Sequence, residues 1–288
     1  MNSLKKSRKK SKLKDIWRRL KKNKLAVAGL FVLILIIIIA IIAPVLAPYH
    51  YSTQDSKSSY AGASPAHILG ADKLGRDLLS RLLFGARASL QMGFIAIAIA
   101  AIIGVTIGAI AGYFGGWTDN ICMRVLDIYQ AIPMLLLCIT LAAILGPSLQ
   151  NAIIALGVSH VPSFARLMRA SVLTVREKEF IESARAINVG NTRIILTHVV
   201  PNAMAPIIVE ITMGIGMCIL AGSLLSFVGL GVQPPTPEWG TMISDGRSVM
   251  REHPTLALYP GVCVMLSVLA CNLLGDGLRD ALDPRLKN

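Results

Sequence analysis

The sequence predicts an all-α integral membrane protein with six transmembrane helices and both termini in the cytoplasm. Three observations carry that prediction. Hydrophobic residues make up 54% of the 288-residue chain and charged residues only 16%, against roughly a quarter charged in a soluble globular protein. Mean hydropathy is +0.62, and several runs of about 20 residues lack Asp, Glu, Lys and Arg, the length a helix needs to cross roughly 30 Å of hydrocarbon. Finally, Lys and Arg crowd one set of connecting segments, as topology signals do.

The first apolar run, 25–47, follows a dense Lys/Arg tract and exceeds the roughly 7–15 apolar residues of a signal-peptide core, so it is expected to remain as an anchor. Further helices are expected at about 90–113, 122–145, 151–172, 206–227 and 256–274. The fourth has a short apolar part and contains His160 and Pro162. It also needs Arg166 and Arg169 to snorkel from its inner end. In the second, Gly104, Gly108 and Gly112 recur every four residues and leave a stripe where another helix can approach closely. The resulting division is a basic cytoplasmic segment 1–24, the first helix 25–47, an extracytoplasmic segment 48–88, a core 89–275 with a cytoplasmic loop at 173–205, and a cytoplasmic tail 276–288. With this topology 22 of the 29 Lys and Arg lie inside and 7 outside.

A net charge of +13 suggests nucleic acid only until its placement is considered, since 12 basic residues fall in the first 24. The charge orients the chain in the bilayer, and no nucleic acid partner is expected. The five cysteines, Cys122, Cys138, Cys218, Cys263 and Cys271, are odd in number, lie in or beside apolar runs, and fit small buried hydrophobes. No phosphate-binding loop G-x-x-x-x-G-K-[ST] occurs, so the chain has no ATP site of that kind. The five histidines lack metal-ligand spacing, and no catalytic constellation stands out. Asp127 and Glu210 are the intramembrane acids, both expected near the cytoplasmic face and held by structural pairing.

The informative segment is 166–205. Residues 176–187 are helix-compatible, and Phe180, Ile181, Ala184 and Ile187 fall near one another on a helical surface. Turn residues at 188–192 follow, then a second short run that Pro201 is expected to close. An exposed amphipathic helix pair suits a groove on a partner protein. It equally suits a position flat in the bilayer interface.

At these residues the sequence resembles the permease subunits of bacterial ABC importers. Their loop before the next-to-last helix has the pattern E-A-A, three residues, G, about nine residues, then I-x-L-P. Here it runs Glu182-Ser183-Ala184, then Arg185-Ala186-Ile187, then Asn188, and closes at Pro201. Ser183 replaces the first alanine and Asn188 the glycine. Asn is the side chain that best tolerates a left-handed turn, and Gly190 offers a second hinge.

Residues 16–48, the run 67–87, the run 225–240 and the tail 275–285 resemble the second, C-type permease of dipeptide, oligopeptide and nickel importers. The resemblance implies a type I importer permease fold and one half of a heterodimeric pore. Its implied partners are a second homologous permease, two cytoplasmic ATPases and an extracytoplasmic solute-binding protein, all at the bacterial cytoplasmic membrane. ATP and magnesium would then sit on the ATPases, with no cofactor on this chain. The implied coupling residues are Glu179, Glu182, Ser183, Ala184, Ile187, Asn188, Gly190 and Pro201. The implied cargo is dipeptides or oligopeptides, with nickel chelates or glutathione-like compounds as alternatives. An ATP-independent carrier is the rival from another class.

Overall fold

The computed structural model describes residues 14–283, so most of the basic segment 1–24 and the end of the tail, with Pro284 and Arg285, lie outside the described residues. After a helical stretch at 14–20, helix α1 (Lys24–Leu46) begins at Asn23, whose Oδ1 accepts from the amides of Leu25 and Ala26 at 3.1 Å. That cap satisfies two of the orphan donors of the first turn. α1 buries only the stripe Ala26, Gly29, Leu33, Ala40 and Ala43. Leu30, Val32, Ile36 and Ile37 are half-buried beside it, and most of the remaining apolar surface is exposed, as a helix against lipid requires.

Helix α2 (Leu78–Phe114) is 37 residues long, about 55 Å of helix. The sequence suggests a short outer helix at 77–83 and a separate span from about residue 90. Instead the two are continuous, because Asp77 caps Ser80 at 2.8 Å and no proline interrupts the run. Residues 78–88 of the segment expected outside the membrane are therefore helical and continuous with the span. The opposite correction applies to the expected helix 122–145. It is two helices, α3 (Gly116–Gln130) and α4 (Met134–Leu145), bent by 81°. Pro133 is the physical cause: it has no N–H to donate, and its ring drives Ile132 out of the helical region.

Helix α5 (Leu149–Arg176) starts at the Ser148 cap and passes Pro162 without a break. Two residues on lies the short α6 (Glu179–Ala186), and then α7 (Asn191–Phe227). Pro201 does not end a helix as expected. A π-helical turn at Ile195–Val199, with the Val200 amide reaching back to Ile195 O, widens the helix just before the pyrrolidine ring and lets α7 continue. Helices α8 (Trp239–Arg247) and α9 (Thr255–Leu282) complete the described chain.

Among the described residues four helices are long and apolar enough to cross a membrane, α1, α2, α7 and α9, and the bent pair α3–α4 makes a fifth if it counts as one span. The core forms where α2 lies along α5. An added Cβ at Gly104 would stand 2.5 Å from Phe164 Cβ, and one at Gly112 3.0 Å from Arg169 O. The glycine stripe thus receives the backbone of α5 directly, which is what small residues every fourth position permit. α9 closes the bundle against α7 and α1, where Gly29 leaves room for Ala270 O.

Candidate functional site

The connection between α5 and α7 is ordered by three local devices. Helix α6 ends in a Schellman motif: the Val189 amide donates to Ala184 O at 3.1 Å and the Asn188 amide to Arg185 O at 2.9 Å. Asn188 has φ +56°, the left-handed conformation that its short polar side chain tolerates in place of glycine. Gly190 has φ −60°, so it caps α7 in ordinary backbone and supplies no left-handed hinge.

The second device is burial of one side of the loop. Ile181 and Ala184 of α6 and Ile194 and Val199 of α7 are buried, seating the helix pair on the bundle. Phe180 and Ile187, expected beside Ile181 and Ala184, are exposed instead: their exposures are 41% and 76%, and Leu196 adds 64%. Phe180 stands about 100° round the helix from the buried Ile181, and Ile187 lies beyond the last residue of α6, so neither shares the buried side. Glu179, Glu182, Ser183, Asn188, Gly190 and Pro201 are exposed with them. The eight sequence-chosen residues therefore fall into an outward set and one inward residue, Ala184.

The third device was not visible in sequence. Tyr113, 5% exposed at the end of α2, donates its hydroxyl to Asn191 Oδ1 at 2.9 Å. The Arg185 guanidinium stacks over the same ring at 5.2 Å, and Arg176 Nη1 donates to Gly112 O at 3.0 Å. These contacts join residues more than sixty apart, so no local pattern announces them.

The same end of the bundle carries two ion pairs between α3 and α5. Arg169 Nη2 donates to Asp119 Oδ2 at 2.6 Å, and Arg166 Nη2 to Asp127 Oδ1 at 2.7 Å. The arginines expected to snorkel are thus paired, and Asp127 finds Arg166 on another helix in place of its neighbour Arg124. The Arg169–Asp119 pair is doubly hydrogen-bonded and the Arg166–Asp127 pair singly, and together they hold the two helices at a defined separation. Glu210 lines a cavity of about 440 Å³ with Pro206, Met213 and Arg279.

At the opposite end the segment after α7 is built into the bundle. Trp239 is 2% exposed and donates its indole N–H to Leu82 O at 3.1 Å, so it is a buried tie and not the interfacial anchor that its position in a loop suggests. Glu238, fully buried, accepts from Ser89 Oγ at 2.9 Å and from the amides of Gly240 and Thr241 at 2.8 and 3.0 Å. Burial pushes its carboxyl above the usual range, although these donors favour the ionised form. The cysteines form no disulfide; three are buried and two half-buried.

Residues 104–288, which contain the loop, α5 and α7, match the family of binding-protein-dependent transport system inner membrane components. The chain belongs to that family. Residues 11–63 of the permease also match the N-terminal transmembrane domain of oligopeptide transport permease C. The permease is 48% identical over 275 residues to the dipeptide transport system permease protein DppC of Alkalihalophilus pseudofirmus, covering 96% of this chain and 90% of that protein. It is 45% identical over 279 residues to the glutathione transport system permease protein GsiD of Pectobacterium atrosepticum, covering 96% and 92%.

Among solved structures, the inward-facing MetNI methionine ABC transporter superposes with a TM-score of 0.59 at 19% identity, over 72% of this chain and 98% of that one. That likeness shows the type I importer fold alone. The permease is accordingly a multi-pass inner-membrane subunit of an ABC importer and not its ATPase, and the family implies ATPase and binding-protein partners.

Proposed function

We propose that this permease is one half of a heterodimeric pore for dipeptides or oligopeptides, and that the outward face of residues 179–190 docks in a groove of a cytoplasmic ATPase. The single observation behind the coupling role is the divided helix α6. One face is buried and fastened to α2 through Tyr113, Asn191 and Arg185, while Phe180 and Ile187 are held exposed on the other. A helix that only rested in the bilayer interface would have no need of that fastening. A rigid lever that carries motion from a partner into α5 and α7 does. Glu179 and Glu182 are available for charge-assisted contacts around the apolar centre. Asn188 ends α6 in its left-handed turn while Ser183 donates back to Glu179 O within the helix, and Gly190 caps α7, inside which Pro201 follows the π turn.

The reading includes six spans with both termini cytoplasmic: α1, α2, the bent pair α3–α4, α5, α7 and α9. α5 supports it by length, since 28 residues make about 42 Å of helix, and its three arginines are engaged with α3 and α2: Arg166 with Asp127, Arg169 with Asp119 and Arg176 with Gly112 O. The positive-inside count supports the orientation. The proposed partners are a second homologous permease, two ATPases that bind ATP and magnesium, and an extracytoplasmic solute-binding protein.

Dipeptides are favoured by the 48% identity to a dipeptide permease, and glutathione is the second reading because the glutathione permease relative stands at 45%. The deciding experiment is ATP-driven uptake by proteoliposomes holding the complete importer, with labelled dipeptide and labelled glutathione in competition. Dipeptide uptake that excess glutathione does not suppress supports the peptide reading. Preferential glutathione uptake replaces it.

A further inference from the structure

A groove between α1 and α2 remains outside everything described so far. It encloses about 460 Å³ and lies at the end of the bundle joined to residues 47–77. Its apolar walls include Ile37 and Ile41 of α1 and Phe94 and Ile95 of α2. Two polar side chains interrupt this apolar surface, Arg87 and, one helical turn deeper, Gln91, both exposed.

Arg87 sits at a membrane–water boundary. Ile41 lies five residues from the end of α1, a rise of about 7.5 Å. One turn from Arg87, the ring of Phe84 meets Tyr51 at 5.0 Å and His50 at 5.8 Å, an aromatic cluster of the kind that marks the headgroup level. The Cα–Cβ bond of a helical residue tilts toward the helix N-terminus, which for α2 is this same end. The guanidinium is therefore directed at the headgroups.

Arg87 has no ion-pair or hydrogen-bond partner among the described residues. Three acids of this end are engaged elsewhere, Asp72 with Arg76 and Arg81, Asp77 with His67, and Asp245 with Lys73. A cation at the membrane–water boundary without an internal partner is free to take an anion from outside the chain.

We propose that this groove binds an anionic glycerophospholipid, its phosphate on Arg87, an ester carbonyl on the Gln91 amide and its acyl chains along Ile37, Ile41, Phe94 and Ile95. The order of chemistry along α2 is charge, then amide, then hydrocarbon, within about two turns. A phospholipid has the same order along its length. A protein helix covering the groove would need to bring a buried carboxylate to Arg87 and would leave Gln91 to be satisfied separately.

The test is native mass spectrometry of the intact importer complex, extracted gently and supplied with phosphatidylglycerol. The variants are R87Q, R87K and Q91L, with R251Q as an exposed arginine outside the groove. Wild type, R87K and R251Q are expected to retain the phosphatidylglycerol adduct. R87Q should lose it about five-fold, the effect of one basic group at an anionic surface, and Q91L should lose it in part. Equal retention by wild type and R87Q overturns the proposal. So does an R87Q complex that sheds the second permease while the adduct persists, which would make the groove a protein interface. Displacement of the adduct by excess inorganic phosphate also overturns it, because the acyl walls would then contribute nothing. If R87Q does not assemble, Q91L, which keeps every charge, decides: an unchanged adduct overturns the lipid site.

Discussion

The hydroxyl of Tyr113 donates to Asn191 Oδ1 across 2.9 Å, tying the last turn of α2 to the first residue of α7. Seventy-eight residues separate the two. Because α2 is itself packed along α5 through its glycine stripe, one hydrogen bond places the loop between α5 and α7 relative to the whole bundle. Removing the hydroxyl by Tyr113→Phe keeps the ring beneath Arg185. The net value of such a bond is about 0.5–1.5 kcal/mol. Amide hydrogen exchange of residues 179–190 is expected to accelerate about two- to ten-fold, with exchange in α9 unchanged.

Asn188 offers a sharper test of the loop, since its φ of +56° is a backbone condition and not a contact. Asn188→Gly is expected to leave stability and uptake near wild type. Asn188→Val forces a β-branched residue into the left-handed region and should cost about 1–2 kcal/mol. Parallel thermal unfolding and uptake measurements on the two variants check this, and equal behaviour would contradict the turn geometry.

The glycine stripe predicts a steep steric response. An added Cβ at Gly108 would stand 2.2 Å from Ala165 O, so even Gly108→Ala requires α2 and α5 to separate. A loss of about 1–3 kcal/mol is expected from overpacking at a close helix contact. Gly261 has open space at its Cβ position, and Gly261→Ala should be silent in the same detergent-melting assay.

Glu238 predicts a pH dependence of definite sign. Its carboxyl is raised by burial, so the folded permease holds that proton to a higher pH than the unfolded chain does. The stabilisation is fully present below the unfolded pKa of about 4.3. It is lost as pH rises through the folded pKa. Wild type is therefore expected to melt at progressively lower temperature as pH rises above the unfolded carboxylate range. Glu238→Gln, which cannot ionise, should show a flatter profile over the same range.

Much of this architecture was legible in composition and periodicity. The apolar runs locate α1, α7 and α9, the glycine spacing announces the close contact on α2, and Asn188 signals the left-handed end of α6. What escaped did so for physical reasons. A helix can extend past its apolar part when a cap such as Asp77 and buried partners hold the polar turns, so the start of α2 was misplaced. Pro133 and Pro201 are the same residue type in similar apolar runs. Yet the first bends its helix by 81° while the second is absorbed by a π turn. Tertiary packing decides between those outcomes, and local sequence does not. The fastening of the loop by Tyr113 and Arg185 and the burial of Trp239 depend on distant contacts and were invisible for that reason.

The central claim is that Phe180 and Ile187 form the surface through which an ATPase drives this permease. The most direct measurement is quantitative mass spectrometry of the complex captured on the tagged permease, alongside the double variant Phe180→Glu, Ile187→Glu. Both positions are exposed, so the variant is expected to fold and insert. The prediction is that the second permease remains at wild-type level while the ATPases are lost, and that ATP-driven uptake disappears with them. ATPases retained at wild-type level, with uptake intact, would contradict the account.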